Sequence, residues 1–278
     1  MIRAARAGDK ADVMAIYNVC FPGEESFCRW FFDRVYRPEN TLVWEQDGLA
    51  AAVQLLPVRL ALGGRQVPCT YIYAAGTLPQ LRGRGLMAAL LERSFALSAA
   101  RGDQLSVLIT QEPSLIGYYA RFGYRPVFAR SLCTAQKGTL PADCVIRPME
   151  PRDTGAVQGL YRAAQGSLYG VRGAEDWRLI AEQYGENARV LERMGRGVTA
   201  FALLEGGQDS LNATEALGPE AGLLMAALAG RHPSGTARWF APAQRGGEPN
   251  GCARPLTALG ERLLADMPGP GYLNVLFN

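Results

Sequence analysis

The chain has a single histidine, His232, and none of its six cysteines (Cys20, Cys28, Cys69, Cys133, Cys144 and Cys252) forms a C-x-x-C pair. Zinc-site and dithiol-redox chemistry therefore have little to build on, and no metal is expected. The opening residues, MIRAARAGDK, have no apolar centre and do not read as a signal peptide. No run of 18 apolar residues occurs, so no membrane-spanning helix and no membrane partner are expected. Scattered cysteines without a signal peptide fit a reducing, cytoplasmic setting, in which they serve as small buried hydrophobes. No dense Lys/Arg run marks a phosphate-backbone footprint, so no nucleic-acid partner is expected. The net charge is only +3. Residues 1–135 hold 15 Lys/Arg against 11 Asp/Glu, and residues 136–278 hold 14 against 15. The mild excess lies in the first half and suits a small anionic ligand.

What remains is a chain of 278 residues, 48% hydrophobic and 20% charged, with the composition and length of two globular domains. Asp9 reads as the N-cap of a helix over Ala11–Cys20, with Val13, Ile16, Tyr17 and Cys20 on one face. An aromatic-rich helix follows near Ser26–Tyr36. Thr41–Trp44 and Ala50–Leu62 read as strands about a turn at Asp47-Gly48, and Gly63-Gly64 turns into a third, Thr70–Thr77. A glycine-rich loop leads into a helix from Leu86 to Ala100. A buried strand over Leu105–Thr110, a short helix over Ser114–Phe122 and a strand over Arg125–Leu132 complete this half. The polar Gly/Pro-containing stretch Gln136–Asp143 reads as a linker.

The second half echoes the first. Ile2-Arg3, Asp9, Val13 and Tyr17 recur as Ile146-Arg147, Asp153, Val157 and Tyr161, all offset by 144 positions. After a small gap, Trp30 pairs with Trp177, Glu39-Asn40 with Glu186-Asn187, Val43 with Val190, and Gly48 with Gly195. Met87–Leu90 recurs as Met225–Leu228. The conserved order argues for two copies of one α/β unit.

The segment from Thr77 through Gln80-Leu81-Arg82-Gly83-Arg84-Gly85 to Leu86 lies between a strand and a helix. A helix N-terminus presents unpartnered N–H groups and partial positive charge. Glycines at 83 and 85 let a phosphate approach the backbone. Arg82 and Arg84 add charge at the rim. No Gly-Lys-Ser/Thr follows, which excludes a P-loop. Gly83-x-Gly85-x-x-Ala88 matches a dinucleotide fingerprint, but Leu78–Arg82 separates the glycines from the strand and Asp103 precedes the next strand instead of ending it.

Gln80-Leu-Arg-Gly83-Arg-Gly85 fits Q/R-x-x-G-x-G/A, the pyrophosphate loop of the GNAT N-acetyltransferases. Ser114-Leu-Ile-Gly-Tyr-Tyr119-Ala-Arg-Phe-Gly123-Tyr124 resembles that family's helix with a tyrosine four residues before Gly-Phe/Tyr. The Gly63-Gly64 hairpin, the run from Pro79 to Leu86 and Tyr119–Tyr124 resemble a bacterial subgroup, the tandem-domain acetyltransferases typified by the mycobacterial enhanced intracellular survival protein (Eis). The chain is too short for that subgroup's sterol-carrier-like third domain. The subgroup's terminal-carboxylate base is for that reason not carried over to Asn278.

The resemblance implies an α/β (α+β) fold of two tandem GNAT-like domains, each a mixed, mostly antiparallel sheet flanked by helices. Residues 1–135 would form the catalytic domain, 136–143 the linker, and 144–278 a degenerate copy. It implies acetyl-CoA as cosubstrate, held by the backbone of Ala75, Gly76 and Thr77, by the loop Gln80, Leu81, Arg82, Gly83, Arg84, Gly85 and Leu86, and by Ser114. An amine would attack directly in a ternary complex. Tyr119 would protonate the departing thiolate. Glu25, with Glu24 and Glu112 as alternatives, is the candidate base. A small-molecule or peptide amine is the expected acceptor. The second half, with Pro219-Glu220-Ala-Gly222 where the loop should recur, would shape the acceptor pocket or a homo-oligomer interface. A non-catalytic acyl-CoA sensor of the same fold is the alternative.

Overall fold

The computed structural model describes residues 1–110, 112, 114–205, 207–243 and 246–274; Asn278 lies outside them. The first stretch of chain forms β1 (Ile2–Ala4), α1 (Lys10–Cys20), α2 (Glu25–Arg34), β2 (Thr41–Glu45), β3 (Leu49–Leu62) and β4 (Arg65–Thr77). Then come α3 (Leu86–Ala100), β5 (Leu105–Ile109), α4 (Ser114–Ala120) and β6 (Arg125–Gln136). The later stretch forms β7 (Cys144–Pro148), α5 (Thr154–Ala163), β8 (Leu168–Gly170), α6 (Ala174–Tyr184), β9 (Ala188–Arg193) and β10 (Gly197–Leu204). It ends with β11 (Leu211–Leu217), α7 (Ala221–Ala229), β12 (Thr236–Pro242), β13 (Glu248–Pro255) and α8 (Ala258–Ala265).

The chain divides into two compact units, but not at the expected linker. Among the described residues, the first contains those of 1–126 and 251–267 and the second those of 127–250 and 268–274. In the first, β1 to β4 are successive antiparallel neighbours, and β5 pairs parallel to β4. The next strand is not β6. It is Gly251–Pro255 of β13, antiparallel to Ile109–Leu105. Cys252 is fully buried in this unit's core, and the Arg254 guanidinium lies 3.9 Å over the Phe95 ring. In the second unit β7, β9, β10 and β11 are antiparallel neighbours, and β12 runs parallel to β11. Its next strand is β6, antiparallel to β12. Residues 136–143 belong inside this second unit. The Lys137 and Gly138 N–H groups donate to Gly235 and Ala226 at 2.7 and 2.9 Å. A polar, Gly/Pro-containing composition suggested a linker, but backbone hydrogen bonds tie the stretch down.

The echo noted in the sequence has a structural counterpart. Arg3 bridges Asp9 and Glu45 at 2.6 and 2.8 Å, and Arg147 bridges Asp153 and Glu192 at 2.6 and 2.8 Å. In register, Arg3 faces Val43 and Arg147 faces Val190. Asp9 does not cap α1 with its side chain. Its carboxylate accepts the Arg6 N–H at 2.7 Å and so closes the preceding turn, as Asp153 does with Glu150 at 2.8 Å.

Amphipathic packing sets the layers of the first unit. Leu86, Leu90, Leu91 and Phe95 of α3 cover one sheet face with Val53, Leu55, Ile72 and Leu108. Val13, Ile16 and Tyr17 bury the inner face of α1 on the other side. Gly76 sets how closely α1 approaches β4. A Cβ there would lie 3.0 Å from Cys20 Sγ and 3.2 Å from its Cβ.

Candidate active site

The loop after β4 is shaped by two glycines. Gly83 and Gly85 have φ of +77° and +76°, a region other residues rarely occupy. A Cβ built on either meets nothing within 4 Å, so both open onto free space. Gly85 is the N-cap of α3, and its carbonyl accepts the Ala89 N–H at 3.1 Å. The N–H groups of Leu86, Met87 and Ala88 have no helical acceptor and point out of the helix end. Arg82 Nε donates to the Thr77 carbonyl at 3.1 Å, folding the loop back onto β4. Gln80, Arg82 and Arg84 are exposed, whereas Leu81 and Leu86 pack into the α3-side core. The result is a cradle of backbone donors with arginines at its edge.

β4 departs from regular strand geometry immediately before this loop. Ala52 pairs with Gly76 but Gln54 with Tyr73, so Ala74 and Ala75 together oppose Val53. Ala74 has φ of +47°. This is a β-bulge, which leaves a residue out of the ladder and re-aims the strand. Its partner on the other edge is also lost. β4 pairs with β5 only at Cys69–Tyr71 with Leu105–Val107. Above that point the strands separate, while Ile109 still pairs with Gly251 on the far side of β5. Two hydroxyls flank the opening, Thr77 Oγ1 on β4 and Thr110 Oγ1 just past β5. Both atoms are buried without a hydrogen-bond partner among the described residues. Buried orphans of this kind mark a place for a polar ligand or water.

Tyrosines pack on both sides of β4. Tyr119 on α4 meets Tyr118 and Tyr124 edge-on, with centroids 5.2 and 5.6 Å apart. It packs into the same core as Ala75, Leu81 and Leu86. Burial pushes its phenol up to about 12. Tyr124 is buried with its hydroxyl 2.6 Å from Ser106 Oγ. On the α1 side, the Tyr17 and Tyr73 hydroxyls are 3.0 Å apart, and burial raises Tyr17 to about 12. All these phenols are neutral at physiological pH.

The structure thus brings the predicted Ala75–Thr77 and Gln80–Leu86 into one strand–loop–helix unit and places Tyr119 against the same core. It leaves two predicted residues outside. Ser114, at the start of α4, is exposed and donates to Glu112 Oε2 at 3.3 Å. Glu25 is exposed and accepts the Gly23 N–H at 3.2 Å. Glu24 and Glu112 are exposed as well. The single buried acid among the first unit's described residues, Asp103, is bound to Thr70 and Arg101. The bulge, the two orphan hydroxyls and the Tyr17–Tyr73 pair were not anticipated. An alanine at positive φ leaves no mark in composition or periodicity, and pairing of distant tyrosines depends on the folded sheet.

The corresponding place in the second unit is filled. There Leu203 pairs with Glu215 but Leu204 with Ala213, the same register slip, which puts Glu215 where Ala75 lies in the first unit. Glu215 is fully buried, bonded to Arg172 at 2.6 Å and to the Tyr272 hydroxyl at 2.8 Å. At the start of α7, Glu220 pairs with Arg193 at 2.6 Å and accepts the Thr199 hydroxyl at 2.6 Å. Glu220 thus sets a carboxylate at the start of α7, where the first unit has Gly85 and its exposed arginines.

Residues 1–127 match the acetyltransferase (GNAT) domain family. No curated protein matches the chain. Among solved structures, a GCN5-related N-acetyltransferase from Kribbella flavida aligns with a TM-score of 0.69 at 18% identity, covering 94% of this chain and 72% of its own. A protein of unknown function and probable N-acyltransferase from Enterococcus faecalis V583 aligns with a TM-score of 0.69 at 14% identity, covering 92% and 72%. Eis1 from Mycobacterium abscessus aligns with 0.65 at 15% identity, covering 92% and 74%. These likenesses establish the fold, and with the family match they support an acyltransferase. No helix among the described residues is long and apolar enough to cross a membrane.

Proposed function

We propose that the chain is an N-acetyltransferase whose first unit binds acetyl-CoA and transfers the acetyl group directly to an amine in a ternary complex. The observation that carries this reading is the opened β4–β5 edge, with its bulge, immediately beside a glycine loop at a helix N-terminus. A helix end suits a pyrophosphate, and a parted pair of strands suits the long amide-bearing arm that follows it. Gly83 and Gly85 leave the room that a phosphate needs, and Thr77 and Thr110 supply unsatisfied hydroxyls along the arm's path. Ala75, Gly76 and Thr77 would hold the arm through their backbone.

The bulge leaves a backbone N–H at Ala74–Ala75 free of the ladder, where it stabilises the charge that develops on the thioester oxygen. Tyr119, protonated across the physiological range, donates to the departing sulfur. Among the first unit's described residues the one buried acid, Asp103, is held by Thr70 and Arg101, so deprotonation of the acceptor falls to water or to an exposed acid such as Glu24, Glu25 or Glu112. The second unit is a degenerate copy in this reading. The shared arginine triads argue for common descent, and Glu215 and Glu220 fill the two places a CoA would need.

Calorimetry with acetyl-CoA, followed by release of free thiol on adding amines, tests the proposal. Tight binding with amine-dependent thiol release supports it. Binding without release from any amine would favour the sensor reading instead.

A further inference from the structure

The acceptor side of the opening has a definite chemistry. Ile72 and Ala75 face α3, whereas Tyr73 faces α1 and α2. If CoA lies at the α3 N-terminus and threads between β4 and β5, its thioester emerges on the α1–α2 face, and the amine must approach from there. That face is a wall of rings. Phe21 and Tyr73 are half-buried. Tyr17 and Phe31 back them, with Tyr17–Phe21 and Phe31–Tyr73 centroids each 5.0 Å apart. The one polar point among them is the Tyr17–Tyr73 hydroxyl pair.

Negative charge is sparse there. Between Lys10 and Arg34 the acids are Asp12, Glu24, Glu25 and Asp33, set against three basic residues. Asp33 is spent on Lys10 at 3.0 Å, and Asp12 lies at the opposite end of α1 from Phe21. Glu24 is the acid whose charge reaches both Tyr17 and Tyr73. A polycation would have to give up water around several ammonium groups against neutral rings, with the two exposed carboxylates of Glu24 and Glu25 in return. A single ammonium is served by Glu24 and by the ring faces.

We infer that the acceptor is a hydrophobic primary monoamine, its aromatic or alkyl body lying on Phe21 and Tyr73 and its amino group directed to the Tyr17–Tyr73 hydroxyls. The inference rests on the acetyl-transfer reading and narrows it. It excludes polyamines and aminoglycosides as preferred acceptors.

The test is steady-state thiol release at saturating acetyl-CoA with five amines: 2-phenylethylamine, hexylamine, ethanolamine, spermidine and kanamycin. The expected result is a kcat/KM for 2-phenylethylamine at least about tenfold above those for ethanolamine and the two polycations, with hexylamine close behind. In Phe21→Ala the ratio of 2-phenylethylamine to ethanolamine falls about tenfold, through KM, the scale of one lost aromatic contact. Phe21→Leu keeps bulk and loses the flat face, and gives a smaller fall should the alanine variant not fold. Equal or better use of spermidine or kanamycin, or a ratio that no Phe21 variant changes, overturns the inference and leaves acetyl transfer standing. Thiol release from none of the five despite acetyl-CoA binding overturns the transfer reading itself, and the inference with it.

Discussion

Replacing Gly83 by aspartate should abolish most acetyl-CoA binding while leaving the fold intact. Its φ of +77° is left-handed, which costs a non-glycine residue about 1 kcal/mol, and aspartate and asparagine tolerate it best. A new Cβ meets nothing within 4 Å, so no clash is added. Against a total stability of roughly 5–15 kcal/mol the variant stays folded. The carboxylate, however, enters the cradle. At about 5 Å from one phosphate charge, with an effective dielectric constant near 20, repulsion is about 3 kcal/mol. That corresponds to a loss of affinity of about 100-fold. Gly83→Asn is the matched control, with the same shape and strain but no charge. The comparison of interest is therefore the Asn-to-Asp ratio of dissociation constants, measured by calorimetry. It should be about 100-fold at low salt and shrink in about 1 M KCl, where the screening length falls to roughly 3 Å. Equal affinities for the two folded variants would refute the assignment of the loop to a phosphate.

Tyr119→Phe should lower the single-turnover rate about 100-fold with acetyl-CoA affinity nearly unchanged, and Tyr118→Phe should have little effect. Because the Tyr119 phenol must be protonated and burial raises it to about 12, the wild-type rate should hold on the alkaline side until the pH nears 12. A fall centred near the ordinary tyrosine value of about 10 would contradict that burial. Acetyl-CoA should titrate to one site per chain, since Glu215 and Glu220 occupy the second unit's places; two equivalent sites would contradict the degenerate copy. A fragment ending at residue 135 should fail to give a cooperative thermal transition, because Gly251–Pro255 completes the first unit's sheet and Cys252 its core. Joining residues 251–267 to residues 1–126 through a flexible Gly/Ser linker should restore it, as followed by circular dichroism.

Much of the first unit was legible because its signals are local. The period of Leu86, Leu90 and Leu97 marks α3, and the turns at Asp47-Gly48 and Gly63-Gly64 delimit β3 and β4. The glycine loop was legible for the same reason, since a helix N-terminus and two flexible residues are enough to suggest an anion site. The exchange of end strands was not legible. β6 and β13 carry no mark saying which sheet each completes, and pairing across more than 100 residues is decided by tertiary fit. The echo at Arg3 and Arg147 pointed to two copies of one unit, and both carry the same arginine-centred ion network; the polar composition of 136–143 suggested a linker, but that stretch lies inside the second unit. Glu220 was visible as a charge in the wrong place for phosphate, whereas Glu215 became meaningful once the register slip aligned it with Ala75.

If the first unit's loop and opened strands deliver acetyl directly to an amine, the amide itself must appear. Incubating the whole chain with isotopically labelled acetyl-CoA and 2-phenylethylamine, then resolving products by mass spectrometry, tests it most directly. One labelled N-acetyl amide should form per CoA released, at a rate that falls about 100-fold in Gly83→Asp at subsaturating acetyl-CoA and much less in Gly83→Asn. CoA released as free thiol without amide, or amide formed equally well by both loop variants, would contradict it.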